Sequence, residues 1–102
     1  MKISISPAAT AWFKQEFNLT AQQGIHLFGK VYGSTPVHDG FSVGIELAPL
    51  PDREQSLGLT QQDELTFFAT KDDEWFFNGY DLQIQFDEDL AEPSYEFITQ
   101  VA

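Results

Sequence analysis

The fold is decided by residues 24–47, which read GIHLFGKVYG (24–33), STPVHD (34–39) and GFSVGIEL (40–47). The first and third segments alternate apolar residues with small or polar ones, a pattern typical of half-buried β-strands. The middle segment contains the residue types that favour turns. We therefore predict two long strands joined by a loop. Gly44 within the second strand predicts a β-bulge or a close backbone approach.

A helix is predicted before these strands. Ser6 is a good N-cap and Pro7 a good first helical residue, because proline lacks the amide donor that this position leaves unused. Apolar residues then recur at helical spacing, and Asn18 is the expected terminator. The helix follows a short strand at residues 1–5. Further strands are predicted at residues 56–60, 64–70 and 80–86 and in a last segment from Pro93.

The segment from Asp72 to Gly79 has two interpretations. Asn78-Gly79 between apolar runs is a strong β-hairpin signal. Alternatively, Asp72 caps a single helical turn that leaves through Gly79 in a left-handed conformation. The acidic residues at the start and the glycine at the end favour the helical turn.

Composition limits the classes of function. The 102 residues suffice for one domain, 1–102, and ten phenylalanines supply a bulky core. The net charge of −11 disfavours nucleic acid and anionic membranes as partners. Solubility alone accounts for such a charge, and the alternative is a basic protein partner or a cation. No apolar run approaches the roughly 18 residues of a membrane span, and no signal peptide is recognisable, so a cytoplasmic protein is expected. The aromatic surplus fits a homodimer interface as well as a single core.

The loop between the two long strands is the first place to expect a site. Its candidate residues are Ser34, Thr35, His38 and Asp39. His38 and Asp39 would supply metal ligands, with His26 as the third. No arrangement of side chains in the sequence supports catalysis, so an enzyme is not expected.

Several segments follow one another in the order of a known family. In chain order they are ISISPAA (3–9), GIHL (24–27), YGS (32–34), GFSVGI (40–45), DEWFF (73–77), GYDL (79–82) and EPSYEF (92–97). This succession resembles the HesB-like (IscA-like) domain family of iron–sulfur cluster biosynthesis, and most closely its short bacterial branch. The resemblance implies a mainly β domain with one N-terminal helix, built as a flattened β-barrel or sandwich.

The resemblance also implies where a cluster would be held. Family members that carry clusters use three cysteines, one at the corner after the first long strand and two in a C-terminal tail. The corner corresponds best to Ser34, the tail lies beyond Phe97, and the chain has no cysteine. We therefore expect no cofactor and a non-catalytic domain that binds a protein partner or ligand. The alternative is a cysteine-free protein that binds iron or another divalent metal through His26, His38 and Asp39.

Overall fold

The structure, a computed structural model, describes residues 1–18, 22–31 and 40–100. Seven strands and two α-helices lie in these ranges. They are β1 (Ile3–Ile5), α1 (Pro7–Glu16), β2 (Gln23–Lys30), β3 (Ser42–Pro49), β4 (Ser56–Gln62), β5 (Leu65–Thr70), α2 (Glu74–Phe77), β6 (Tyr80–Asp87) and β7 (Glu92–Thr99). A 3₁₀ turn, Lys71–Asp73, leads directly into α2.

The strands form two sheets. The smaller has the order β1-β6-β7, with β1 parallel to β6 and β6 antiparallel to β7. The larger has the order β3-β2-β5-β4, in which only β2 and β5 are parallel. Within the described ranges the two sheets stay separate, so the sandwich form of the predicted fold is present and a closed barrel is not.

One core joins both sheets and the helix. Phe13 of α1, Phe67 of β5, Phe76 of α2 and Leu82 of β6 are fully buried in it. The ring of Phe13 meets that of Phe67 edge-on, with 5.0 Å between centroids. Burying such large rings is the main stabilising contribution that a domain of this size has available. The prediction of a mainly β fold with one N-terminal helix is confirmed.

Helix α1 begins as predicted and ends slightly earlier than predicted. The amide of Ala9 donates to Ser6 Oγ at 3.2 Å, and Pro7 is the first helical residue. The helix stops at Glu16, and Phe17, not Asn18, is its C-cap. Phe17 has an extended backbone, and its ring stacks on that of Phe13, at 5.9 Å between centroids.

Strands β2 and β3 pair in unbroken antiparallel register from Gln23 with Pro49 to Lys30 with Ser42. Gly44 is therefore not at a bulge. What comes close to Gly44 is a side chain and not backbone, because a Cβ atom at this position would lie 2.5 Å from the ring of Phe28.

The helical interpretation of the segment from Asp72 to Gly79 is correct. Lys71–Asp73 and Glu74–Phe77 form two short helical turns, and Gly79 leaves them with φ +85°. The capping carboxylate is Asp73 rather than Asp72, since Asp73 Oδ2 accepts from the backbone amide of Thr70. No helix among the described residues has the length and apolar character that a membrane span requires.

Candidate functional site

The predicted loop site lies outside the described ranges. Ser34, Thr35, His38 and Asp39 all fall within residues 32–39, so their part in a site stays a prediction. His26 is the one candidate residue that the structure describes. It lies on β2, on the face of the larger sheet opposite to the buried Ile25 and Leu27.

Both ring nitrogens of His26 contact carboxylates from other elements. Nδ1 lies 2.9 Å from Oε1 of Glu46 on β3, and Nε2 lies 2.8 Å from Oδ2 of Asp73 in the turn before α2. The His26 side chain is 18% exposed and that of Asp73 is 10% exposed, whereas that of Glu46 is 54% exposed. We call this arrangement the Glu46–His26–Asp73 bridge. It joins two neighbouring strands to a turn that lies 47 residues further along the chain.

The carboxylate of Asp73 is well satisfied despite its burial. Besides its contact with His26, Oδ2 accepts from the amide and from the hydroxyl of Thr70, both at 2.9 Å. Burying an ionised carboxylate is costly unless hydrogen bonds and opposite charge compensate it, and here both do. These hydrogen bonds attach the turn to Thr70 at the end of β5 and to His26 on β2, an inner strand of the larger sheet.

The bridge requires a protonated imidazole ring. A neutral imidazole has one N–H and one lone pair, so it donates to only one carboxylate. Partial burial lowers the pKa of His26, but hydrogen bonds to Asp73 and Glu46 and the two negative charges outweigh it, and the pKa is raised above 6.5. The two short contacts and the raised pKa both favour the protonated, positively charged ring between the two carboxylates.

This arrangement bears on the predicted metal site. Both nitrogens of His26 face carboxylate oxygens, and a metal ligand needs a free imidazole lone pair. Across the described part of the chain, no three His, Cys, Asp or Glu residues are grouped so as to hold a metal ion. The set of His26, His38 and Asp39 stays a prediction, because two of its members lie outside the described ranges.

An aromatic layer surrounds the ring of His26. The ring stacks on Phe68, with 5.3 Å between centroids and 14° between planes, and lies 5.5 Å from Phe28. Phe68 is 2% exposed although it pairs in register with His26 on the side of the sheet away from the main core. The layer excludes water from one face of the imidazole, which strengthens the hydrogen bonds of the bridge.

Trp75, in α2, is the second feature of this region. The residue is 53% exposed, while the adjacent Phe76 is fully buried. The indole meets the rings of Phe41 and Phe76 edge-on, at 5.2 and 5.5 Å between centroids. Gly29 of β2 provides the space for it, since a Cβ atom there would lie 2.9 Å from Trp75 Cη2.

The partners of His26 and the exposed Trp75 were not among the predicted site residues. Asp73 is one of three consecutive acids, 72–74, and composition alone does not distinguish it from Asp72. The useful signal was Thr70, three residues before Asp73, which is the spacing of a capping box. The pairing of His26 with Glu46 follows from strand register, which the alternation pattern alone does not supply.

Comparison with known proteins adds relatives and structural neighbours. No family model matches the chain. It is 33% identical over 98 residues to the pyruvate dehydrogenase inhibitor of Bacillus subtilis (strain 168), covering 95% of this chain and 99% of that protein. It is 32% identical over 79 residues to an uncharacterized protein of Staphylococcus aureus (strain USA300), covering 76% of this chain and 79% of that protein.

Two solved structures have the same fold. Escherichia coli SufA, involved in the biosynthesis of iron–sulfur clusters, matches with a TM-score of 0.58 and 19% identity over 99% of this chain and 82% of its own. IscA with a [2Fe-2S] cluster matches with a TM-score of 0.59 and 18% identity over 95% of this chain and 81% of its own. The fold that the sequence resemblance implied is confirmed.

Proposed function

The chain belongs to the same family as the pyruvate dehydrogenase inhibitor of Bacillus subtilis and has the HesB-like fold, and we propose that it is itself a protein inhibitor of pyruvate dehydrogenase. It would act by binding the enzyme, not by catalysis. The observation that carries this proposal is the 33% identity to the inhibitor over nearly the whole of both chains.

An iron–sulfur cluster does not fit the residues of this chain. Clusters of this kind are held by cysteine thiolates, and the sequence has no cysteine and two histidines. The fold is shared with SufA and IscA, but the donors that a cluster needs are not. We therefore derive no step of the proposed function through a cluster.

The charge of the chain supports a protein partner. Sixteen acidic residues against five basic ones leave a net charge of −11, which attracts a partner with a basic surface and accelerates its association. Such steering weakens as salt screens the charges. Inhibition that becomes weaker with rising ionic strength would agree with this mechanism.

The direct test is an inhibition assay. Purified chain is titrated into pyruvate dehydrogenase from its own organism while pyruvate-dependent formation of NADH is followed. We expect saturable inhibition that reaches its limit near stoichiometric amounts and the same stoichiometry in a binding titration. SufA freed of cluster is the matched control, because it shares the fold but only 19% of the sequence, and we expect it to leave the enzyme unaffected.

Two outcomes would contradict the proposal. Undiminished enzyme activity at a large excess of the chain would exclude inhibition. A one-to-one calorimetric isotherm with ferrous, manganese or zinc ions that disappears in His38→Ala would favour the divalent-metal alternative instead. Anaerobic incubation with iron and sulfide should leave the chain colourless, since no thiolate is present to bind a cluster.

A further inference from the structure

Trp75 combines exposure with a fixed position. Seven large hydrophobic side chains are exposed among the described residues, and Trp75 is the one aromatic residue in that set. Tryptophan is enriched among the few residues that dominate binding energies at protein interfaces. A half-exposed indole on the surface of a small acidic domain is therefore the strongest candidate for a contact residue.

The indole is held on several sides. Phe41 and Phe76 contact it edge-on, and Gly29 allows the strand backbone to approach it closely. Phe76 is itself fixed, since it is fully buried and contacts Phe77 at 4.8 Å between centroids. A contact residue that is already ordered loses little conformational entropy when the partner binds.

The turn that carries Trp75 is fastened by the Glu46–His26–Asp73 bridge. Asp73 directly precedes α2, and its carboxylate is bonded to His26 and to Thr70. The charged groups that face the imidazole are Glu46 from β3 and Asp73 from the turn, while β5 contributes the uncharged Phe68. Losing the proton on His26 would leave one of the two carboxylates facing a lone pair and would remove the positive charge that attracts Asp73, so the attachment of the turn to β2 would weaken.

The surroundings of Trp75 indicate the chemistry of its partner. Asp72 and Glu74 are exposed on either side of the buried Asp73, with Lys71 as the one basic residue of the turn. Together with the net charge of −11, these carboxylates complement a basic surface. An indole with an acidic rim fits an apolar pocket that is surrounded by basic side chains.

We propose that Trp75 is the anchor by which the chain binds pyruvate dehydrogenase, inserting into an apolar pocket with a basic rim, and that the Glu46–His26–Asp73 bridge holds this anchor in its binding position. The assignment rests on the proposed inhibitory function for the identity of the partner. His26 is thus a positioning residue, because it acts on the partner only through the turn.

The anchor is tested with binding titrations of pyruvate dehydrogenase. Trp75→Ala should raise the dissociation constant at least about 30-fold, as loss of an interface hot spot does. Leu90→Ala is the matched control, because Leu90 is 65% exposed but lies between β6 and β7 of the other sheet, and it should change the constant less than about fivefold. Trp75→Phe retains an aromatic ring and should raise the dissociation constant by an intermediate factor. This variant keeps the test possible if the alanine variant does not fold.

The bridge is tested first without any partner. In ¹⁵N NMR spectra of the free chain, both ring nitrogens of His26 should have the shifts of protonated nitrogens at about pH 6 and should change together as the pH rises. In the binding titration the affinity of the wild-type chain should fall as the pH rises from about 6 to about 9. His26→Gln should bind more weakly at about pH 6 and should show no such pH profile.

The outcomes separate the claims. A neutral His26 tautomer at about pH 6 overturns the bridge, whatever the partner does. Wild-type affinity in both Trp75→Ala and Trp75→Phe overturns the anchor while inhibition itself stands. If the wild-type chain does not bind the enzyme, the proposed function and the anchor both fail, and the NMR titration still decides the bridge.

Discussion

Replacing Gly29 or Gly44, on neighbouring strands, by alanine should destabilise the protein to different extents. The closer contact lies at Gly44, but we expect the larger loss of stability at Gly29. A Cβ atom at Gly44 would lie 2.5 Å from the ring of Phe28, and one at Gly29 would lie 2.8 Å from the ring of Phe76. Distance alone ranks Gly44→Ala as the more harmful change. The freedom of the opposing ring gives the reverse ranking.

The cost at Gly29 follows from the fixed position of Phe76. Ordinary carbon–carbon contacts lie at about 3.5–4.0 Å, so the ring would have to move by roughly 0.7–1.2 Å. Phe76 is fully buried and contacts Phe77 and Phe97, which leaves it no space. Overpacking of this kind destabilises a protein by about 1–3 kcal/mol. Replacing glycine by alanine also lowers the conformational entropy of the unfolded chain, which stabilises the folded state by about 0.4–1 kcal/mol. We expect Gly29→Ala to lower the free energy of unfolding by about 1–2 kcal/mol.

The cost at Gly44 is smaller because Phe28 is only half-buried and can rotate towards solvent. It would give up its contact with His26, at 5.5 Å between centroids, which is worth about 0.5–1 kcal/mol. The lower conformational entropy of the unfolded chain with alanine offsets most of this loss, so the free energy of unfolding should fall by less than about 1 kcal/mol.

Thermal and urea unfolding, followed by circular dichroism, measure both variants. Since 1 kcal/mol shifts the midpoint of a domain this size by about 4–8 °C, Gly29→Ala should melt about 4–16 °C lower and Gly44→Ala much closer to wild type. Equal losses, or a larger loss for Gly44→Ala, would refute the reasoning that ring freedom outweighs the contact distance.

Two further predictions concern stability. The folded-state pKa of His26 is raised above 6.5, so its contribution to stability is complete below pH 6.5 and is lost as the pH rises through the folded-state pKa. Urea unfolding should therefore show that the wild type loses stability above neutral pH relative to His26→Gln. Parallel stability curves for the two proteins would contradict the bridge. Ser6→Ala should lower the free energy of unfolding by about 1 kcal/mol, because the amide of Ala9 loses Ser6 Oγ as its acceptor. Ser6→Gly should cost only a few tenths, since glycine is itself a favoured N-cap residue; wild-type stability in Ser6→Ala would contradict the capping role of the hydroxyl.

Local patterns accounted for most of the secondary structure. The Ser6-Pro7 start of α1, the alternation in β2 and β3 and the helical turn before Gly79 all depend on residues close together in the chain. Their boundaries were less predictable, because the end of a helix depends on packing. The C-cap of α1 is Phe17, a partly buried residue packed against the core, one residue before the expected asparagine.

The sequence by itself also excluded a cysteine-held cluster, since the absence of a residue type needs no coordinates. Only the tertiary structure decided which of sixteen acids face His26 and which aromatic side chain stays exposed. Glu46 reaches His26 through strand register, and Asp73 reaches it across 47 residues of chain. Composition and periodicity describe each residue with its near neighbours, whereas a charged bridge and an exposed indole depend on contacts between segments that only folding brings together.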